Sequence, residues 1–174
     1  MKNRSFTLSF CLLGYAGFAA GQTKQSGVGK CDQKPEVQQM VEVGDRADHV
    51  LGVVKQPCTW TAPLEMAGLK AKDYTIIVVT DASGKGPLNS QDRGYVVMTM
   101  DNGDKAFARF QGKGTVSLQG GEPGAGEGTW SYTGGTGKLK GLTGKGTYKS
   151  ATTKDHVEED HIDGEWSIAE ARKK

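Results

Sequence analysis

From Glu36 onward, short runs rich in Val, Ile, Thr, Tyr and Trp recur between clusters of Gly, Asp, Asn and Pro. That rhythm is the signature of strands and turns. The clearest runs are EVQQMVEV, DHVLGVVKQ, DYTIIVVT, RGYVVMTM, KAFARFQG, GTWSYTG, GKGTYKS and EWSIAE, which predicts about eight strands. Several alternate strictly. Trp130 and Tyr132 point one way while Thr129, Ser131 and Thr133 point the other, and Trp166 and Ile168 oppose Glu165 and Ser167. A sheet with one buried face requires that alternation. The segment DNGD at Asp101 to Asp104 separates two runs with residues that tolerate positive φ, so it predicts a tight hairpin turn. No long window carries a 3.6-residue period. The best candidate for a helical turn lies around Ala62 to Ala71.

Ahead of these runs, residues 22–30 (QTKQSGVGK) are small, polar and aperiodic, and read as a disordered lead-in with order beginning near Cys31. Residues 1–21 read as a signal peptide. Two positive charges in MKNR precede the uncharged SFTLSFCLLGYAGFAA, which ends in small residues. Ser9, Gly14 and Gly17 interrupt an apolar stretch too short to span a bilayer, so cleavage after Ala19 or Gly21 is expected rather than a retained anchor. Cys11 lies behind Phe10, which does not suit lipid attachment. The domain expected after cleavage covers 31–170, in a secreted or periplasmic location and with no membrane contact.

Glycine is the compositional anomaly: half of the chain's 26 glycines fall between Gly112 and Gly146. There is no strict triplet and almost no proline there, so collagen is excluded. Glycines set beside strand residues mark bulges, bends and close backbone approach, the devices that curl a sheet into a closed barrel. An all-β fold made of a single antiparallel β-barrel follows.

Export changes the charge picture. The formal net charge of +2 includes Lys2 and Arg4, while residues 1–21 hold no acid, so the mature chain is neutral overall. The steering field of a nucleic-acid binder is missing, and nucleic acid is not an expected partner. Two cysteines remain, Cys31 and Cys58, in an oxidising compartment. A single disulfide is the economical reading, with two free thiols or a metal pair as the alternatives.

The glycine-rich loop invites a phosphate-binding reading that its spacing refuses. Gly144-Lys145 is followed by Gly146 rather than Ser or Thr, Leu139 stands where the first P-loop glycine should be, and Lys140 replaces the third glycine of the dinucleotide fingerprint. The run also leads into a strand and not a helix N-terminus. His156 and His161 lie in KDHVEEDHIDG among Glu158, Glu159 and Asp160, donors dense enough for a divalent ion, although a solvated loop is the simpler reading. No metal site and no cofactor are expected. There is no GxSxG elbow, no HExxH helix and no cysteine nucleophile outside the expected disulfide. Arg109 and Glu165 stand out as charges within strand runs, whose plainer reading is an outward position on the barrel wall. The aromatics Trp60, Tyr95, Phe107, Phe110, Trp130, Tyr132, Tyr148 and Trp166 are the candidate wall of a ligand site or, equally, the filling of a dry core.

Four stretches, GDRADHVLGVVKQPCTWT at Gly44 to Thr61, MDNGDKAFARFQGKGT from Met100, GEGTWSYTGGTGKLKGLTGKGTYKS at Gly126 to Ser150, and the closing DGEWSI, resemble exported bacterial proteins of unassigned function related to the allene oxide cyclase and dirigent β-barrel group. The likeness runs from about Glu36 to Ile168, with GTGKLKGLTGKGTY its most specific part. It implies an eight-stranded calycin-like barrel able to take a small apolar molecule. The plant members are a cyclase acting on a reactive epoxide and dirigent proteins that orient radicals, oligomeric and without metal or organic cofactor. No functional residue of theirs maps onto this chain one by one, so the likeness speaks for fold. Three functions then compete: a binder of a small apolar ligand in the lumen, a cofactor-free isomerase, cyclase or dirigent-like protein, and a structural or assembly protein acting through its surface, possible as a homo-oligomer. The discriminating feature is an inward acid or amide among apolar walls.

Overall fold

The computed structural model describes residues 22–32, 34–85, 87–116, 124–153 and 157–169. Residues 1–21, read above as a signal peptide and including Cys11, lie outside the described residues, as do His156 and the last residue of 31–170.

Ten strands are formed among them: β1 (Thr23–Cys31), β2 (Val37–Glu42), β3 (His49–Ala62), β4 (Glu65–Met66), β5 (Leu69–Ser83), β6 (Leu88–Met100), β7 (Lys105–Val116), β8 (Ala125–Gly135), β9 (Leu142–Thr152) and β10 (Glu158–Ile168). All pairings are antiparallel. Hydrogen bonding runs β3-β1-β10-β9-β8-β7-β6-β5 and returns from β5 to β3, closing an eight-stranded barrel. The strands β2 and β4 stand outside this circuit, on β3 and β5. The sequence runs therefore mark real strands, most of them extended by several residues.

Three expectations are corrected. The stretch read as a disordered lead-in is β1, paired along its length with β10 and over Val28 to Lys30 with β3. Its own composition buries little, but the open edges of β10 and β3 supply partners for its backbone groups, and an unpaired buried amide is costly. The predicted helical turn near Ala62 is instead the β4–β5 hairpin, whose two turn residues Ala67 and Gly68 both have positive φ, at 52° and 74°. A two-residue turn of that kind matches the right-handed twist of its strands. Finally, most of KDHVEEDHIDG is not a solvated loop, since Glu158 opens β10. The DNGD hairpin forms as predicted, with Gly103 at φ 88° and its amide donating to the Met100 carbonyl at 2.9 Å.

The barrel is plugged at one end, where the β3–β5 connection, the β6–β7 hairpin and the 3₁₀ turn Gly137–Leu139 meet. Leu64, Met66, Met100, Leu139 and Leu142 are there fully buried. A smaller cluster of Val50, Ala82 and Leu88, with Val116 against it, packs at the other end. Cys31 of β1 and Cys58 of β3 form a disulfide with Cα atoms 4.4 Å apart. It staples the two strands whose short pairing completes the circuit.

Candidate functional site

Between the two apolar clusters lies an interior cavity of about 410 Å³. Strand alternation decides what faces it. From β5 come Tyr74, Ile76, Val78 and Thr80; from β6, Asp92, Val96 and Met98; from β7 and β8, Ala108, Phe110, Trp130 and Tyr132; from β9 and β10, Tyr148, Ser150, Glu158, Asp160 and Ile162; and from β3, Val54 and Trp60.

The inward glycines explain how rings fit along so narrow a wall. A Cβ on Gly146 or Gly164 would fall 2.5 Å from the Trp130 indole, and one on Gly112 or Gly128 would fall 2.3 or 2.7 Å from Tyr148. Each ring lies across a strip of bare backbone. The glycines remove side-chain volume so that large aromatics can occupy the lumen without closing it. Trp130 and Tyr132 meet edge to face with centroids 4.9 Å apart, Phe110 and Tyr148 likewise at 5.6 Å, and Trp60 tilts onto Tyr74 at 4.5 Å.

Three carboxylates enter this aromatic lumen. Asp92 accepts hydrogen bonds from Thr80 Oγ1 at 2.7 Å and Ser90 Oγ at 2.8 Å. Asp160, 6% exposed, accepts one from the Tyr74 hydroxyl at 2.9 Å. Glu158 shares the β10 inward face with Asp160 and lies opposite Cys31 and Thr152. Burial first, then the charges of Asp160 and Asp92, push Glu158 up to about 7, a Ser150 hydrogen bond offsetting part of this. Burial likewise raises Asp160 to about 6 against the Tyr74 hydrogen bond and the nearby His161. Burial, then Asp92, Asp160 and Glu158, push the Tyr148 phenol up to about 12. The lumen thus holds a carboxyl group that exchanges its proton near neutrality, next to hydroxyl donors and aromatic faces. Such a group can donate to, accept from, or ion-pair with a guest.

Of the residues singled out from sequence, Trp60, Trp130, Tyr132 and Tyr148 line the cavity, and so does Phe110. Trp166 turns inward on β10 but packs against the core cluster away from the lining. Tyr95, 62% exposed, faces out. It begins an outward row that runs in register through Arg109, Ser131, Lys145 and Glu165 to Lys24. Arg109 Nε donates there to Ser131 Oγ at 3.2 Å. Phe107 shares the outward parity of Arg109 and is half-buried on the wall. The plain reading of Arg109 and Glu165, outward positions, describes where they stand. Sequence reasoning missed Tyr74, Asp92, Glu158 and Asp160 as lumen groups. The alternation of Glu158, Asp160, Ile162, Gly164 and Trp166 could have found two of them, because a period of two extends the final strand back to Glu158.

Fold and cavity define the class: a closed eight-stranded antiparallel barrel with an acidic, aromatic-walled interior. No protein-family model matches the chain and no curated protein matches it. Among solved structures it is similar to the pterocarpan synthase dirigent protein GePTS1, at 12% sequence identity and a TM-score of 0.46, over 95% of this chain and 100% of that one.

Proposed function

We propose that the protein is an exported small-molecule-binding barrel that holds a partly apolar guest in its lumen. The observation that supports this is the cavity of about 410 Å³ walled by Trp60, Phe110, Trp130, Tyr132 and Tyr148, with polar groups converging on one part of its wall. Cavities of this size with an apolar body and a few placed polar groups are the usual form of a small-molecule site. A dry, filled core would have left no such space. The test is titration of the mature protein with neutral phenols and terpenoids, followed by tryptophan fluorescence and calorimetry. Saturable one-site binding, altered by Trp130→Ala and weakened by the space-filling Val78→Phe, is the expected result. Absence of saturable binding in the wild type, with intact thermal unfolding, sends the function to the outer surface.

One observation favours a second reading, a cofactor-free isomerase or cyclase. Glu158, titrating at about 7 inside an aromatic lumen, is the kind of group that serves as a general acid at neutral pH. Under that reading a bound guest changes structure without change of mass, at a rate that Glu158→Gln lowers. A guest that binds and is recovered unchanged supports the binder.

A further inference from the structure

The lumen's charge is one-sided. Asp92, Glu158 and Asp160 reach it from β6 and β10, and among the described residues that line it there is no lysine, arginine or histidine. The basic side chains on these strands point outward: Lys145 and Lys149 on β9 are exposed, His161 pairs with Glu159 on the outer face at 2.6 Å, and Lys30 pairs with Asp32 at 3.3 Å. Among the described residues no interior cation neutralises the three acids. Hydrogen bonds from Thr80, Ser90 and Tyr74 stabilise two of them but add no positive charge. The rest of the wall is aromatic: Trp60, Phe110, Trp130, Tyr132 and Tyr148 face the same space as the acids.

Resting on the small-molecule reading above, we propose that the guest is a small organic cation, an aryl or alkyl ammonium ion, held by the inward carboxylates and by the faces of the aromatic wall. Two physical arguments carry the choice of sign. Carboxylates confined together in a desolvated space repel one another, and an added cation relieves that repulsion while an anion such as a fatty carboxylate worsens it. Aromatic faces attract cations through their quadrupole, and most strongly where water is excluded. A neutral apolar guest would use the walls and gain nothing from the acids.

Proton linkage follows. In the free protein near pH 7 Glu158 is part protonated, because burial, Asp160 and Asp92 raise it. The groups facing it are Asp160 on its own strand, Asp92 of β6, Tyr148 and Ser150 of β9, and Tyr74 of β5; Cys31 of β1 is tied in the disulfide and does not titrate. A bound cation favours the charged carboxylate, so binding releases protons and tightens as pH rises from about 5 to 8.

The experiment is calorimetry on the mature, oxidised protein with matched probes: phenyltrimethylammonium against tert-butylbenzene, and phenethylamine against 2-phenylethanol. At pH 8 each cation is expected to bind at least about tenfold more tightly than its neutral isostere, a difference of about 1.4 kcal/mol. That ratio should fall toward one at pH 5, and titrations in two buffers of different ionisation enthalpy at pH 7 should show net proton release. Glu158→Gln and Asp160→Asn, each near-isosteric, should each lower the ratio. Isosteres that bind as tightly as the cations overturn the choice of guest and leave the small-molecule barrel standing. Binding of neither member of any pair overturns both.

Discussion

Glu158 and Asp160 sit where their charge is least welcome, and the protein's response to pH follows from that. Both are carboxylates whose folded-state pKa lies above the unfolded value. Folding therefore favours their protonated forms, so stability is greatest below the unfolded pKa of about 4 and is lost as pH rises through the raised values. Glu158→Gln removes one ionisation without changing shape. It should raise the thermal midpoint at pH 8, by a free energy of about 2 kcal/mol, and have no effect at pH 4. A variant that destabilises equally at both pH values would show that Glu158 makes contacts worth more than its charge costs. At Gly146 the expectation has the opposite sign. A methyl group there meets the Asp163 carbonyl at 2.0 Å and the Trp130 indole at 2.5 Å. Gly146→Ala should cost about 1–3 kcal/mol in denaturant unfolding through overpacking, and should shift Trp130 fluorescence in the folded state.

At the scale of elements, the features that sequence displays most clearly and those it hides are separated by how local their causes are. The DNGD turn was legible because its chemistry is complete within it: Asn102 Oδ1 accepts from the Asp104 amide at 2.9 Å, and Asn102 Nδ2 donates to Asp104 Oδ2 at 2.8 Å. β1 was illegible because TKQSGVGKC becomes a strand through partners distant in sequence, more than 100 residues away on β10 along its length and on β3 at its end. The connection between β2 and β3 is tied to β5 through a titratable side chain. His49, buried at the start of β3, bonds Asp45 through Nδ1 and Asp81 of β5 through Nε2 at 3.0 Å. The hydrogen bonds to Asp45 and Asp81 raise His49 above its ordinary value and outweigh the opposing effects of burial and Arg46. The stabilisation is then complete below about 6.5 and is lost as pH rises through the higher folded-state pKa. Hydrogen exchange at the Val43 amide, which donates to the His49 carbonyl at 2.9 Å, should quicken between pH 6 and 8 beyond the intrinsic pH effect. The His49→Gln variant should lack this extra step.

The whole molecule is a sheet closed on itself, and closure rests on the short β1–β3 pairing reinforced by the disulfide. Linking residues 27 apart restricts the unfolded chain, and Cys31→Ser with Cys58→Ser should lower stability by about 3–4 kcal/mol. The loss should be matched in wild-type protein by reduction. If midpoints with and without reductant coincide, the staple contributes nothing. No helix among the described residues is long and apolar enough to cross a membrane. The outward row of Lys24, Arg109, Lys145 and Glu165 is charged where a lipid-facing barrel carries an apolar band. Export itself should be visible by mass spectrometry as a mature N-terminus between Ala20 and Thr23, which keeps β1 whole. Recovery of Met1 on the soluble exported form would remove the signal peptide.

What the sequence determined by itself was the class of fold. Alternating apolar residues, turn chemistry and glycine spacing are local patterns with a period of two, and a period of two admits little besides a one-faced sheet. It also placed Trp130 and Tyr132 on a single face, and it marked Cys31 and Cys58 as a pair. Only the tertiary structure decided which face was inside. A strand's parity says that Glu158 and Asp160 point together, and Arg109 away from Phe110, but the sign of that parity is set by neighbours distant in sequence: Tyr74 for Asp160, Trp130 for Gly146 and Gly164, Tyr148 for Gly112 and Gly128. Charged residues on a strand read as solvated because an ionised carboxylate in water costs nothing. Their burial became tolerable only when closure brought hydroxyl donors to them and let protons bind. The acidic interior therefore exists only once the barrel has closed.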